Sequence, residues 1–121
     1  MISKILVPTD GSESAKKAVR YAADLAKQTG STIRLISVVD KSLYASQLVS
    51  AVAAPTHLIE PIEDYLWQAA EACLDDAERL CKRSGVPSKK VVRTGYPVDA
   101  IVREAERSKA DLIVIGSHGK S

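Results

Sequence analysis

The alternation of short apolar stretches with segments of helical periodicity constrains the fold of this chain more than any other feature. The apolar or β-branched stretches predict strands at residues 2–7, 32–39, 89–95 and 110–116. Helical spacing predicts helices at residues 14–30, from Pro61 to about Ser84, and from Pro97 onward. Such alternation favours parallel strands joined by right-handed crossovers, with helices on both faces of the sheet.

Cap signals bound the first predicted helix. Gly30 stands where a left-handed C-terminal cap belongs. At the other end, Asp10 and Glu13 have the spacing of a reciprocal capping pair, and Ser12 or Ser14 fits the N-cap equally well. The spacing alone leaves the capping residue open.

Apolar stripes predict which helix faces pack on the sheet. In the second helix the predicted stripe is Ile62, Leu66, Ala69, Cys73, Ala77, Leu80 and Cys81. In the third it is Val98, Ile101, Val102 and Ala105. The fourth strand is apolar enough to be buried on both faces, and residues 41–60 form a long connection without clean periodicity.

Composition and charge exclude several classes of protein. The 121 residues suit one domain, and the net charge of +2 comes from scattered basic residues without a run longer than two, so we expect no nucleic-acid partner. No apolar stretch is long enough to span a bilayer and no signal peptide is recognisable, so we expect a soluble, cytoplasmic protein. Cys73 and Cys81, eight residues apart on one predicted helix, are too distant for a disulfide and are expected to be reduced.

Polar turns follow two of the predicted strands. In open parallel sheets ligands bind outside the carboxyl ends of the strands, where the strand order reverses. Asp10 follows the first strand, where a carboxylate is placed to accept ribose hydroxyls or to coordinate Mg²⁺, and an N-cap role fits its spacing equally well. Gly116 and Gly119 follow the fourth strand, and two glycines three apart let backbone N–H groups approach an anion closely.

The ending Gly119-Lys120-Ser121 is not a true P-loop. That motif requires a glycine five residues before Gly119, and Val114 stands there instead. The available glycine, Gly116, is only three residues away, so the loop is too short to wrap phosphates in the same way.

Three stretches together resemble the universal stress protein family. They are "ILVPTDGSESAKKAVRYAADLA" at residues 5–26, "IRLISVVD" at 33–40 and "GYPVDAIVREAERSKADLIVIGSHGKS" at 95–121. The resemblance covers nearly the whole chain apart from the connection at 41–60. It implies an α/β fold with an open, parallel, Rossmann-like sheet, whose four strands present here have the order 3-2-1-4.

The resemblance also implies a binding site for ATP. The ATP-binding branch of the family carries G-x2-G-x9-G-[ST] after the fourth strand, and Gly116 and Gly119 match its first half. By the family's pattern Pro8, Thr9 and Asp10 line the adenine and ribose side, and the backbone of Val38 faces adenine. Gly116, Ser117 and Gly119 lie against the ribose and phosphates, and Asp10 is a possible ligand of Mg²⁺.

The second half of that motif and the family's fifth strand, its usual dimer contact, have no counterpart in residues 1–121. We therefore expect a single universal-stress-protein-like domain that is incomplete at its C-terminus, with an unpaired edge on the fourth strand.

The favoured function is an adenine-nucleotide-binding stress-response or signalling module, a homodimer that acts by binding rather than catalysis. His118 is the one possible base near the site, and no nucleophile is paired with it, so at most weak ATP hydrolysis is expected. A pyrophosphatase-type ATP enzyme is disfavoured because the turn after the first strand lacks the S-G-G-x-D-S pattern. The main alternative is a nucleotide-free, dimerising interaction protein of the same family, with Leu43, Tyr44, Leu48 and Val49 as a candidate partner surface.

Overall fold

A computed structural model of the chain describes residues 1–41 and 59–116. Its strands are β1 (Lys4–Pro8), β2 (Thr32–Asp40), β3 (Ser88–Gly95) and β4 (Leu112–Ile113). Its helices are α1 (Glu13–Thr29), α2 (Ile59–Arg83) and α3 (Pro97–Ser108). Most of the predicted connection at residues 41–60, with Leu43, Tyr44, Leu48 and Val49, lies outside the described residues.

The four strands form one parallel sheet in the order β3-β2-β1-β4. α1 and α2 pack on one face, where the buried core joins Ile5, Val7, Ile33 and Leu35 to alanines of α1 and to Leu74 of α2. Side chains alternate along a strand, so Arg34 projects from the opposite face, where it meets Glu104 of α3. The predicted α/β fold, its strand order and its helices on both faces are confirmed.

Ser12 caps α1. Its hydroxyl accepts a hydrogen bond from the Ala15 amide at 3.2 Å, which satisfies one of the donors left unpaired at a helix start. Asp10 instead accepts from the Ser12 amide at 2.9 Å and so stabilises the preceding turn. Of the roles left open by the sequence, the cap therefore belongs to Ser12. Gly30 ends the helix as predicted, with φ of 70°.

The predicted apolar stripe of α2 is partly wrong. The residues buried in the core are Ala70, Leu74, Ala77 and Cys81, whereas Ile62 and Ala69 of the predicted stripe are exposed. The buried residues and the predicted stripe both have helical spacing, and they share Ala77 and Cys81. The helix is rotated so that Ala70 and Leu74 face the sheet and Ala69 does not. The rotation turns Leu66, Ala69 and Cys73 toward a cleft at the edge of the sheet.

The predicted packing face of α3 is also partly wrong. Val98 and Val102 are exposed, and the one fully buried side chain of this helix is Glu104. Its carboxylate accepts hydrogen bonds from Arg34 Nε at 2.6 Å and Arg93 Nε at 3.0 Å. Because β2 and β3 present arginines on this face, a carboxylate is the side chain that can be buried against them.

The predicted fourth strand is too long and insufficiently buried. β4 comprises only Leu112–Ile113, both half-buried, and Ile115 is exposed. One further hydrogen bond, from the Val114 amide to the Leu6 carbonyl, continues its pairing with β1. In the described part of the chain β4 pairs with β1 alone, so it lacks the second neighbour that a strand buried on both faces would have.

Candidate functional site at the carboxyl ends of the strands

A cleft of about 580 Å³ opens at the carboxyl ends of β1 and β2. Its walls come from the turn after β1, the end of β2, one face of α2, the start of α3 and the residues that follow β4. α1 and α3 lie on opposite faces of the sheet, so the strand order reverses between β1 and β4 at this cleft. Ligands bind at this position in open α/β sheets.

The turn after β1 supplies the polar groups of the floor. Thr9 is buried, and its amide donates to the Ile36 carbonyl at 2.9 Å, which ties the turn to β2. Its hydroxyl accepts from the Gly11 amide at 3.3 Å. These bonds fix the turn so that Pro8, Thr9 and Asp10 all line the cleft, with Asp10 exposed.

The end of β2 presents backbone to the same cleft. Pairing with β1 ends at Pro8 opposite Ile36, whereas pairing with β3 continues to Asp40. The Ile36 carbonyl points toward β1, and backbone groups alternate in direction along a strand. The amide and carbonyl of Val38, two residues further on, therefore point to the side on which β1 has ended.

α2 and α3 supply an apolar wall. Its members are Leu66, Ala69, Ala70, Cys73, Pro97 and Ile101. The Cys73 thiol is half-buried, and burial together with the negative charge of Asp10 raises its pKa. The thiol is therefore protonated at neutral pH and serves as an apolar contact.

Glycines allow the turn after β1 and the segment after β4 to approach their neighbours closely. Gly11 has φ of 83°, and a Cβ there would lie 2.7 Å from the Cys73 sulfur. A Cβ at Gly116 would collide with the backbone of Ser14 at the start of α1. Close packing against α1 thus requires a glycine at 116 whether or not a ligand binds there.

Five of the seven predicted site residues meet in this cleft: Pro8, Thr9, Asp10, Val38 and Gly116. Ser117 and Gly119, together with His118, lie outside the described residues. The sequence did not reveal that Leu66, Ala69 and Cys73 form the wall. Their helical spacing was the only signal, and it predicted core packing instead.

The part of the chain that the structure describes holds neither a metal-ligating cluster nor a membrane-spanning helix. Within residues 1–41 and 59–116 no group of three or more His, Cys, Asp or Glu side chains is arranged to hold a metal ion. Asp10 and Asp40 both line the cleft, and Cys73 and Cys81 are unbridged, as predicted. No helix in the described part of the chain has the length and apolar character needed to cross a bilayer.

A parallel sheet with helices on both faces, and a cleft of polar and apolar residues where its strand order reverses, defines the class of Rossmann-like α/β proteins. Within that class, residues 1–121 match the universal stress protein family, and the chain belongs to this family.

Relatives and solved structures agree with this assignment. Universal stress protein MJ0531 of Methanocaldococcus jannaschii is 32% identical over 122 residues, a match that spans 100% of this chain and 68% of the relative. Universal stress protein YxiE of Bacillus subtilis is 30% identical, over 100% of this chain and 82% of its own. The solved structure of MJ0577, also from M. jannaschii, superposes with a TM-score of 0.81 at 27% identity, covering 99% of this chain and 78% of that one.

Proposed function

We propose that this chain is an adenine-nucleotide-binding stress-response or signalling domain, with ATP as its ligand, that acts by binding and homodimerisation rather than by catalysis. One observation carries the proposal. The fold gathers Pro8, Thr9, Asp10, Val38 and Gly116 from three separate parts of the sequence into one cleft. Its volume of about 580 Å³ suits a small-molecule ligand, for which pockets of roughly 300–1,000 Å³ are usual.

The β2 side of the cleft suits the base. A backbone amide and carbonyl on one residue match a base edge that carries one acceptor and one donor, as adenine does with N1 and its N6 amino group. Val38 offers such a pair toward the cleft. The apolar wall formed by Leu66 and Ile101 provides a surface for the faces of a purine ring.

The turn after β1 suits the ribose. Ribose hydroxyls donate hydrogen bonds, and the carboxylate of Asp10 accepts them. Its hydrogen bond from the Ser12 amide fixes the orientation of the carboxylate before a ligand arrives. Thr9 adds a rigid backbone on the floor of the cleft.

We place the phosphates at the side of Gly116, and the contacts of Ser117 and Gly119 stay predictions from the family's pattern. The described residues that line the cleft include no lysine or arginine, so phosphate charge needs another partner. Mg²⁺ is held in proteins by one or two carboxylates together with nucleotide phosphates, and Asp10 and Asp40 are the carboxylates that line the cleft. The described lining residues also include no histidine or lysine.

Mass spectrometry of the purified protein for co-purified nucleotide tests the proposal, together with thermal shift on adding ATP and Mg²⁺. We expect bound ATP, or a rise in melting temperature that saturates with ATP. Protein free of nucleotide that shows no shift with ATP would overturn the proposal.

A substitution at Asp10 tests its assigned role. Asp10→Ala should weaken ATP binding by roughly 1.5–3 kcal/mol, as for a charged hydrogen bond. Asp10→Asn keeps an acceptor for the Ser12 amide and separates loss of charge from loss of the turn. Asp24→Ala, on the exposed side of α1, is the matched control and should bind as the wild type does. Unchanged affinity in Asp10→Ala would assign Asp10 to the turn alone.

A nucleotide-free, dimerising interaction protein of the same family is the second candidate. Val98 and Val102, four residues apart on α3, are 77% and 47% exposed, and exposed apolar side chains on one face of a helix favour a protein contact. Light scattering with and without ATP separates the candidates. A dimer that forms without nucleotide, in protein that binds none, would favour the second.

A further inference from the structure

A second cleft, of about 560 Å³, opens at the opposite edge of the sheet, where β1, β2 and β3 begin. We call it the amino-edge cleft. Five cationic residues line it: Lys4, Arg34, Lys89, Arg107 and Lys109. It shares no lining residue with the cleft at the carboxyl ends, so the two are separate sites.

The amino-edge cleft is positively charged even after its neighbours are counted. None of its lining residues is acidic. The nearby carboxylates are Glu104, paired with Arg34 and Arg107, and Asp111, which accepts from the amides of Ser3 and Lys4. Five cations against these two leave three positive charges, more than the net +2 of the whole chain. The C-terminus of α3 contributes only about −0.5.

A buried carboxylate holds part of this surface in place. Glu104 is 1% exposed, and it accepts from Arg34 Nε at 2.6 Å and from Arg107 Nη1 at 3.5 Å. The guanidinium of Arg34 carries four more N–H groups on its terminal nitrogens. On the rim, Lys4 Nζ donates to the Ser108 carbonyl at 3.2 Å, which uses one of its three donors. Arg34, Arg107 and Lys4 are thus oriented in advance, which lowers the entropy lost when a ligand binds.

The geometry points to a binding site for a small, multiply charged phosphate-bearing anion in the amino-edge cleft. Arginine and lysine together are the side chains that bind phosphate oxygens. One cation is enough to neutralise the charge of Glu104, whereas five cationic residues line the amino-edge cleft.

Titration of the isotope-labelled protein with inorganic tripolyphosphate, followed by NMR, tests the inference. We expect saturable binding with amide shifts at Thr32, Ile33 and Ser88. The double variant Lys89→Gln, Lys109→Gln should weaken binding at least tenfold. Both lysines are exposed, so the change leaves the core untouched.

The control Lys17→Gln, Lys41→Gln removes the same charge from exposed positions, one on α1 and one directly after β2 at the opposite edge of the sheet, and should change affinity less than twofold. An equal loss in both double variants, or no shift at the named amides, would overturn the site. Asp10→Ala should leave tripolyphosphate binding unchanged. If that variant abolishes it, the anion occupies the carboxyl-end cleft and the inference fails. Tighter binding of a single-stranded oligonucleotide at the same amides would also overturn a small-anion site.

Discussion

Replacing Glu104 by glutamine should strongly lower the free energy of unfolding, because Glu104 is the buried side chain of α3. The side chain is 1% exposed and sits between Arg34 and Arg93. Glutamine keeps its size but removes the negative charge. Two guanidinium groups then face each other across a neutral amide, whose oxygen accepts hydrogen bonds but whose NH₂ group only donates.

The magnitude follows from the contacts. Hydrogen bonds to charged groups contribute about 1.5–3 kcal/mol each, and breaking a buried ion pair costs about 3–5 kcal/mol. Arg34 and Arg93 are 31% and 38% exposed, so water replaces part of what they lose. We therefore expect Glu104→Gln to lower the free energy of unfolding by about 2–3 kcal/mol, or the melting temperature by about 10 °C for a domain of this size.

Urea denaturation at neutral pH measures this loss. Glu106→Gln is the matched control, because Glu106 lies two residues away on the exposed side of α3, and it should change stability by less than about 0.5 kcal/mol. Equal losses in the two variants would refute the assignment of Glu104 as the charged centre of this face.

The pH dependence provides a second check on the same residue. Burial alone raises the pKa of Glu104, but the hydrogen bonds and charges of Arg34 and Arg93 outweigh it and hold the pKa below its ordinary value of 4.5. A carboxyl whose pKa is lowered by folding contributes stability above its unfolded pKa and loses it as the pH falls through the folded value. The gap between wild type and Glu104→Gln should therefore be full at pH 7 and narrow below about pH 4.5. A gap that stays constant to low pH would show that charge is not its cause.

Two further substitutions test local features of the site. Ser12→Ala removes the N-cap of α1 and should lower the free energy of unfolding, measured in urea, by about 1 kcal/mol. Ser14→Ala should lower it less, because the Ser14 hydroxyl does not cap the helix. The reverse order would contradict the cap assignment. Gly116→Ala brings a Cβ into the backbone of Ser14 and should cost about 1–3 kcal/mol by overpacking. Thermal denaturation measures it, and the exposed neighbour Ile115→Ala is the control; equal losses in both would contradict close packing at Gly116.

The sequence predicted the sheet well because the fold class depends on periodicity, which is local. The alternation of strand and helix patterns predicted the parallel sheet, and Gly30 by itself predicted the C-terminal cap of α1. The failures share a different cause. Glu104 is buried by Arg34 and Arg93, which are 70 and 11 residues away in the chain. No local sequence pattern distinguishes a carboxylate that pairs with arginines distant in the chain from one that faces water.

The candidate site divides in the same way. Asp10 and Gly116 follow strands, so the rule for carboxyl ends of parallel strands placed them together. The wall formed by Leu66, Ala69 and Cys73 could not be predicted, because two sets of residues on α2 have equal helical spacing. Which set faces the core depends on how the helix is rotated against the sheet, and this is decided by packing across the whole interface.

The cations of the amino edge were scattered in the sequence and are collected by the topology. Parallel strands begin at one edge, and the connecting helices end there, so residues distant in the chain meet. The partial negative charge of helix C-termini favours cations in the last turn, which accounts for Lys27, Lys82 and Arg107. It does not account for Arg34 and Lys89, which lie on β2 and β3. Three of the five cations of the amino-edge cleft, Lys4, Arg34 and Lys89, therefore come from the strands. Arg34 also pairs with Glu104, and Lys4 bonds to the Ser108 carbonyl at the end of α3, so Lys89 and Lys109 are the cations that test the proposed anion site most directly.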